Sequence, residues 1–186
     1  MLLIADVHLG KVSHFRKHGA AIPAKVAHEN LEKLTEVTNH FQPKTVCFLG
    51  DLFHSNLNAE WNDFAKWIEY TSAKVVLISG NHDIIPNYLF EEVGVEIYEE
   101  LKLEKFLLTH YPTEVEEYFN FCGHIHPGVA LQGSGRQTVR LACFFKSENQ
   151  LILPAFGNFT GKYTLKPTEK DDVFVIADDE VIQVNV

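Results

Sequence analysis

What this chain has little of narrows its class first. Its three cysteines, Cys47, Cys122 and Cys143, stand singly in apolar, strand-like runs with no C-x-x-C spacing. That leaves no pattern for a disulfide framework, and buried free thiols in a reducing cytoplasm are the expectation. No apolar run approaches the length that spans a bilayer, and the first residues lack a charged stretch followed by a secretory leader's apolar core. A membrane location is therefore not expected. Acidic residues are missing between Asp6 and Glu29, where Lys11, Arg16, Lys17 and Lys25 appear with His8, His14, His18 and His28. From Glu91 to Glu117 the balance reverses, with a run of glutamates against Lys102 and Lys105. The net charge of -9 disfavours broad, nonspecific adhesion to nucleic acid. A mildly positive rim on an acidic body suits a local anion better than a long phosphate track.

The rest of the composition is that of a globular protein: 46% hydrophobic and 22% charged over 186 residues. The simplest organisation is a single domain over residues 1–186, without internal repeats, low-complexity tracts or linkers. Short apolar runs punctuate the first half, at Leu2–Ala5, Lys44–Leu49 and Lys74–Ser79, and read as buried strands. Residues 9–22 read as a loop ahead of a helix starting at Pro23 and ending at Phe41, before Pro43. Asn58 is the expected cap of a second helix, with Trp61, Phe64, Ala65 and Ile68 as its buried stripe. Pro86 to Glu92 reads as a short helix ending at Gly94.

Strand–helix–strand–helix–strand is the pattern of right-handed crossovers in a parallel sheet. From Val95 onward the runs are short and strand-like, with a clear alternation in Val139, Leu141, Cys143 and Phe145. Gly123 to Arg136 reads as mostly loop. Two sheets packed face to face, with helices outside, are expected.

Residues with metal-ligand chemistry follow five of these runs. They are Asp6-Val7-His8, Gly50-Asp51, Gly80-Asn81-His82-Asp83, His110 and Gly123-His124-Ile125-His126. Imidazoles and carboxylates are the ligand types of divalent transition metals. Alternate residues of an extended segment point the same way, so Asp6 and His8, like His124 and His126, can converge. Two divalent ions, two carboxylates and one hydroxide would leave about one positive charge, which favours an anionic phosphoryl group.

In that order the five motifs resemble the full set of the calcineurin-like metallophosphoesterases. The wording of three of them, Ala5-Asp6-Val7-His8-Leu9-Gly10-Lys11, Gly50-Asp51-Leu52-Phe53-His54-Ser55 and Gly123-His124-Ile125-His126-Pro127, is similar to the bacterial ligase-associated DNA damage response endonucleases. So is Leu153-Pro154-Ala155-Phe156-Gly157-Asn158-Phe159-Thr160-Gly161. Two features depart from that branch: strands usually precede the first Asp-x-His, and Lys162 stands where a second glycine is common.

The resemblance implies an α/β fold, a four-layer α/β/β/α sandwich of two mixed sheets. It implies two divalent ions, Mn²⁺ first, with Fe, Zn or Ni as alternatives. Asp6, His8, Asp51 and His126 would hold one ion, and Asp51, Asn81, His110 and His124 the other, with Asp51 bridging. A hydroxide held by the metals would attack phosphorus while His82 protonates the leaving oxygen and Asp83 orients the His82 ring. The expected activity is a phosphodiesterase or nuclease linked to DNA repair, with a phosphate ester such as DNA or a nucleotide as substrate and repair proteins as partners. A small-molecule phosphatase, a cyclic-nucleotide phosphodiesterase and a non-catalytic scaffold on the same fold are the alternatives.

Lys11 and Arg16 are candidates for substrate phosphate, against a solvated loop face. His54 reads as a hydrogen-bond partner of a ligand or as a surface loop residue. The Phe156–Gly161 segment either lines the pocket or is a turn packing its two phenylalanines. A first strand at Met1 would be an edge through which a homodimer could pair.

Overall fold

Apolar runs that end in ligand-type residues form the spine of one sheet. A computed structural model describes residues 1–17, 19, 21, 26, 28–54, 56–57, 59–133, 135, 137–158 and 160–184. Strands β1 (Leu2–Ile4), β2 (Thr45–Leu49), β3 (Lys74–Ile78) and β4 (Val95–Tyr98) pair in that order, every pair parallel. Their side chains alternate between two destinations, as a period of two requires. Val46, Phe48, Val75 and Leu77 pack with Leu34, Phe64, Trp67 and Phe90 of the helical layer. Cys47, Leu49, Val76 and Ile78 turn the other way, against Leu108, Leu153, Phe121 and Phe144 of the second sheet.

Among the described residues the helices are α1 (Lys11–Lys17), α2 (Glu29–Phe41), α3 (Ala59–Tyr70) and α4 (Asn87–Glu92). Helix α2 ends on a left-handed Gln42, whose N–H returns to Thr38 O, immediately before Pro43. In α3 the fully buried aromatics are Phe64 and Trp67, while Trp61, Ala65 and Ile68 are half-buried. The expected stripe therefore holds at Phe64 but is rotated toward Trp67. His18, Pro23, Lys25, Ala27, Ser55, Asn58, Arg136 and Phe159, used in the sequence reading, lie outside the described residues. The expected helix start and cap at Pro23 and Asn58 fall there.

The second sheet is mixed. Its strands are β5 (Leu101–Leu103), β6 (Phe106–Leu108), β7 (Phe119–Cys122), β8 (Pro127–Gln132), β9 (Thr138–Ser147), β10 (Gln150–Ile152) and β11 (Tyr163–Thr164). They run in the order β11-β8-β9-β10-β7-β6-β5, with the hairpin of β12 (Asp172–Ala177) and β13 (Glu180–Val184) joined through β9. Two stretches differ from expectation. Residues 11–17 are helical rather than loop, and residues 127–132 form β8, which gains backbone partners on both sides from β9 and β11.

The alternation along β9 buries Cys143 and Phe145, whereas Val139 stays exposed beyond the core. The two-sheet α/β sandwich is as expected, with one sheet wholly parallel. Every described helix lies before residue 93. Among the described residues, the remaining face of the second sheet is packed by strand residues such as Cys122, Cys143, Val173 and Val175. The three cysteines are free and buried, and burial pushes Cys47 and Cys122 up to about 12. No described helix is long and apolar enough to cross a membrane.

Candidate metal centre

Past the ends of β1 and β2 the two chains keep running side by side, with Asp6 N–H on Gly50 O and His8 N–H on Asp51 O. The backbone there leaves the extended region. Asp6, His8, Asp51, His124 and His126 all have positive φ, between 51° and 66°. A left-handed non-glycine residue costs on the order of 1–3 kcal/mol and persists where its surroundings enforce it. Two glycines make room for the result. A Cβ at Gly50 would fall on the His110 imidazole, and one at Gly80 would strike the Asp51 amide and carboxylate.

The side chains gather into two groups. Asp6, His8 and His126 form the first, and Asp51, His110 and His124 the second; the ligand atoms of each lie within 4.8 Å of one another. In the first, His126 Nε2 is 3.3 Å from both Asp6 Oδ1 and His8 Nε2. In the second, His110 Nε2 is 3.1 Å from His124 Nδ1 and 3.5 Å from Asp51 Oδ1. The other oxygen of Asp51 is 3.8 Å from His8 Nε2, so this carboxylate faces both groups. Asn81 Oδ1 joins the second group, 3.1 Å from His110 Nε2.

These donors fit divalent cations. Asp6 Oδ1 is buried with no hydrogen-bond partner, although Asp6 Oδ2 accepts the His124 N–H at 2.9 Å. Carbonyls fix two rings from behind: His110 Nδ1 donates to Leu49 O at 2.9 Å and His126 Nδ1 to Thr160 O at 3.2 Å, which turns each Nε2 lone pair inward. Burial, then Lys11 and the neighbouring imidazoles, push His8 down to about 2, so its ring is neutral. Burial and His110 also lower His124. At His126 burial pulls downward, but the Asp6 carboxylate 3.3 Å away outweighs it and raises the ring.

The calcineurin-like phosphoesterase family model matches residues 1–174. This chain belongs to that family. Among solved structures, Pseudomonas putida nuclease MPE is 30% identical over 93% of this chain and 82% of its own, with a TM-score of 0.77. A protein of unknown function from Aquifex aeolicus, AQ665, is 18% identical over 67% of this chain and 77% of its own, with a TM-score of 0.46. No curated protein matches the chain. The protein is a metal-dependent phosphoester hydrolase of a family that uses two metals, and it offers two groups of side chains that could hold them.

Around this centre the phosphoesterase places its other predicted residues unequally. The His82 ring lies 5.5 Å from that of His8 and 4.9 Å from that of His54, while its backbone N–H bonds Asp51 Oδ1. Asp83 differs from expectation. Its carboxylate accepts the N–H groups of Asp51, Gly80 and Phe53 at 2.8, 2.9 and 3.2 Å, so it organises the turn beneath Asp51 instead of orienting the His82 ring. Burial nevertheless raises Asp83 to about 6, against those three bonds.

His54 is half-buried, and its Nδ1 is buried without a hydrogen-bond partner among the described residues. It packs against His8, His82 and His14, and burial followed by Lys11 and its imidazole neighbours holds it to about 4. Lys11 is half-buried within electrostatic reach of Asp51 and Asp6; burial lowers its ammonium although both carboxylates pull upward. Arg16 is exposed and roughly 140° around α1 from Lys11.

Sequence reasoning missed three supports of this phosphoesterase site. Buried Asn30 donates to Val7 O at 3.1 Å and accepts Asn158 N–H at 3.0 Å, tying the Asp6–His8 turn to the loop that carries Thr160. Buried Glu60 accepts Gly10 N–H at 2.6 Å and the Ser13 hydroxyl at 2.7 Å, which anchors the start of α1. Tyr111 donates its hydroxyl to Asn81 Oδ1 at 3.1 Å. A polar residue on the buried face of an amphipathic helix was the available signal for Asn30.

Proposed function

We propose that this protein is a phosphodiesterase of nuclease type, working with two Mn²⁺ ions in a single domain. Asp6, His8, Asp51 and His126 hold one ion, and Asp51, Asn81, His110 and His124 the other. The observation that carries this reading is Asp51, whose two oxygens face one group each. Held by these residues, two divalent ions would supply a nucleophile from water at neutral pH and draw charge from the phosphoryl oxygens.

The chain's own residues do the rest. His82, beside the first group, donates a proton to the leaving oxygen. His54 packs against the His82 ring and limits its movement. Lys11 offers its ammonium to a non-bridging phosphate oxygen. Asp83 keeps Asp51 and Gly80 in register through their amides.

A nucleic-acid substrate and a place in DNA repair, with repair-protein partners, are the finer reading. The motif wording and the likeness to Pseudomonas putida nuclease MPE support it. The buried free thiols support a reducing, cytoplasmic setting.

A substrate panel with Mn²⁺ tests the reading: a bis-arylphosphate, an aryl monophosphate, a 2′,3′-cyclic nucleotide, and single- and double-stranded DNA. Cleavage of the aryl diester and of single-stranded DNA, with little monoester turnover, is expected. Turnover of the monoester alone would replace the proposal with a phosphatase, and turnover of the cyclic nucleotide alone with a cyclic phosphodiesterase.

A further inference from the structure

A groove opens beside the first metal group, with His126 in its lining. Its volume is about 340 Å³, within the roughly 300–1,000 Å³ range of small-ligand sites. Pro127, Ala142 and Ala155 give it apolar surface, and His126, Thr160 and Lys162 give it polar groups. A larger cavity of about 700 Å³ has the opposite character, lined by Glu114, Glu116 and Glu117 beside Lys105. In a chain of net charge -9, the groove's lining among the described residues includes Lys162 and no carboxylate.

Backbone hydrogen bonds tie the described residues of the walls to the metal-centre segments. Phe156 N–H bonds Ala5 O at 2.9 Å, Gly157 N–H bonds Asp6 O at 3.1 Å, and Tyr163 N–H bonds His126 O at 2.9 Å. Asn158 N–H is held by Asn30. The stem of Lys162 lies on Gly128, where an added Cβ would meet its Cβ at 3.2 Å and its Cδ at 3.6 Å. One candidate metal ligand and one exposed cation therefore share a partly apolar groove.

We infer that this groove is a subsite for the nucleotide next to the scissile bond, with Lys162 contacting that nucleotide's phosphate. The inference rests on the phosphodiesterase reading above. A substrate with a single phosphate, engaged at the metal pair, leaves no anion for Lys162. A strand brings a second phosphate past the reacting one, together with a sugar and base that can cover the alanines and Pro127. The substrate class is then a polynucleotide.

The test uses the Mn²⁺-loaded full chain and two probes. One is a fluorescent, cleavage-resistant phosphorothioate decathymidylate, read by anisotropy; the other is a bis-arylphosphate, read by turnover. Lys162→Gln should weaken strand binding about tenfold. It should also flatten the dependence of log affinity on log salt by about 0.7. Lys162→Arg should restore binding, and the kcat/KM of both variants for the aryl diester should stay within about twofold of wild type. Unchanged strand binding in Lys162→Gln, or an equal fall with the aryl diester, would overturn the subsite. A wild-type protein that binds no strand would overturn it as well. Failure of wild type to hydrolyse the aryl diester would remove the phosphodiesterase reading instead, while the binding arm still decides the groove.

Discussion

The two candidate metal groups draw on the two sheets in opposite proportion. In the first, Asp6 and His8 follow a strand of the parallel sheet and only His126 comes from the mixed one. In the second, Asp51 alone follows the parallel sheet, and His110 and His124 follow strands β6 and β7. Neither trio is complete on one layer. The apolar contact of Leu49 and Ile78 with Leu108 and Leu153 is therefore part of the site's construction, since it fixes the separation at which donors from both layers meet.

Asp51 is where the two groups touch, so its loss should have the largest effect. Asp51→Asn should cut aryl diester turnover about a thousandfold or more, equivalent to roughly 4 kcal/mol of barrier. Metal analysis should find both ions depleted, whereas His126→Ala should retain the second. Full metal occupancy in Asp51→Asn would show that the groups do not share this carboxylate.

His82→Ala tests the chemistry while leaving both trios intact. The metal content should stay the same and the rate should fall about a hundredfold or more, most steeply for esters with poor leaving groups. Equal slowing of activated and unactivated esters would assign His82 to positioning.

Asn30 offers the finest separation, because it supports only the first group. Asn30→Ala strands the carbonyl of Val7 and frees the Thr160 loop, so one of two Mn²⁺ affinities should weaken about tenfold in a calorimetric titration. The buried, unpaired carbonyl should also cost about 1–3 kcal/mol of stability in denaturant unfolding. Equal weakening of both affinities would mean that the trios are not independent.

The convergence of these donors was legible because each follows an apolar run short enough to be a strand, and because the residue types have few other uses at such a position. The parallel sheet was legible for the same reason: its strands are buried on both faces and read as continuous hydrophobic stretches. What escaped depends on distant partners. Residues 11–17 have no acidic first turn, and the start of their helix is held by Glu60, which is remote in sequence. Residues 127–132 begin with Pro-Gly and lie between glycines, yet β9 and β11 pair with them. Asp83 follows His82 directly, which pointed to a His–Asp pair, but the turn at Gly80 aims its carboxylate at the amides beneath Asp51.

The left-handed backbone at Asp6, His8, Asp51, His124 and His126 has a consequence for how this enzyme can change. Valine or isoleucine would be doubly unsuited there, unable to coordinate and crowded by their branched carbons in that conformation. Asparagine tolerates the same geometry and is the replacement least costly to the backbone. Evolutionary drift at these corners should therefore silence the chemistry well before it disturbs the architecture.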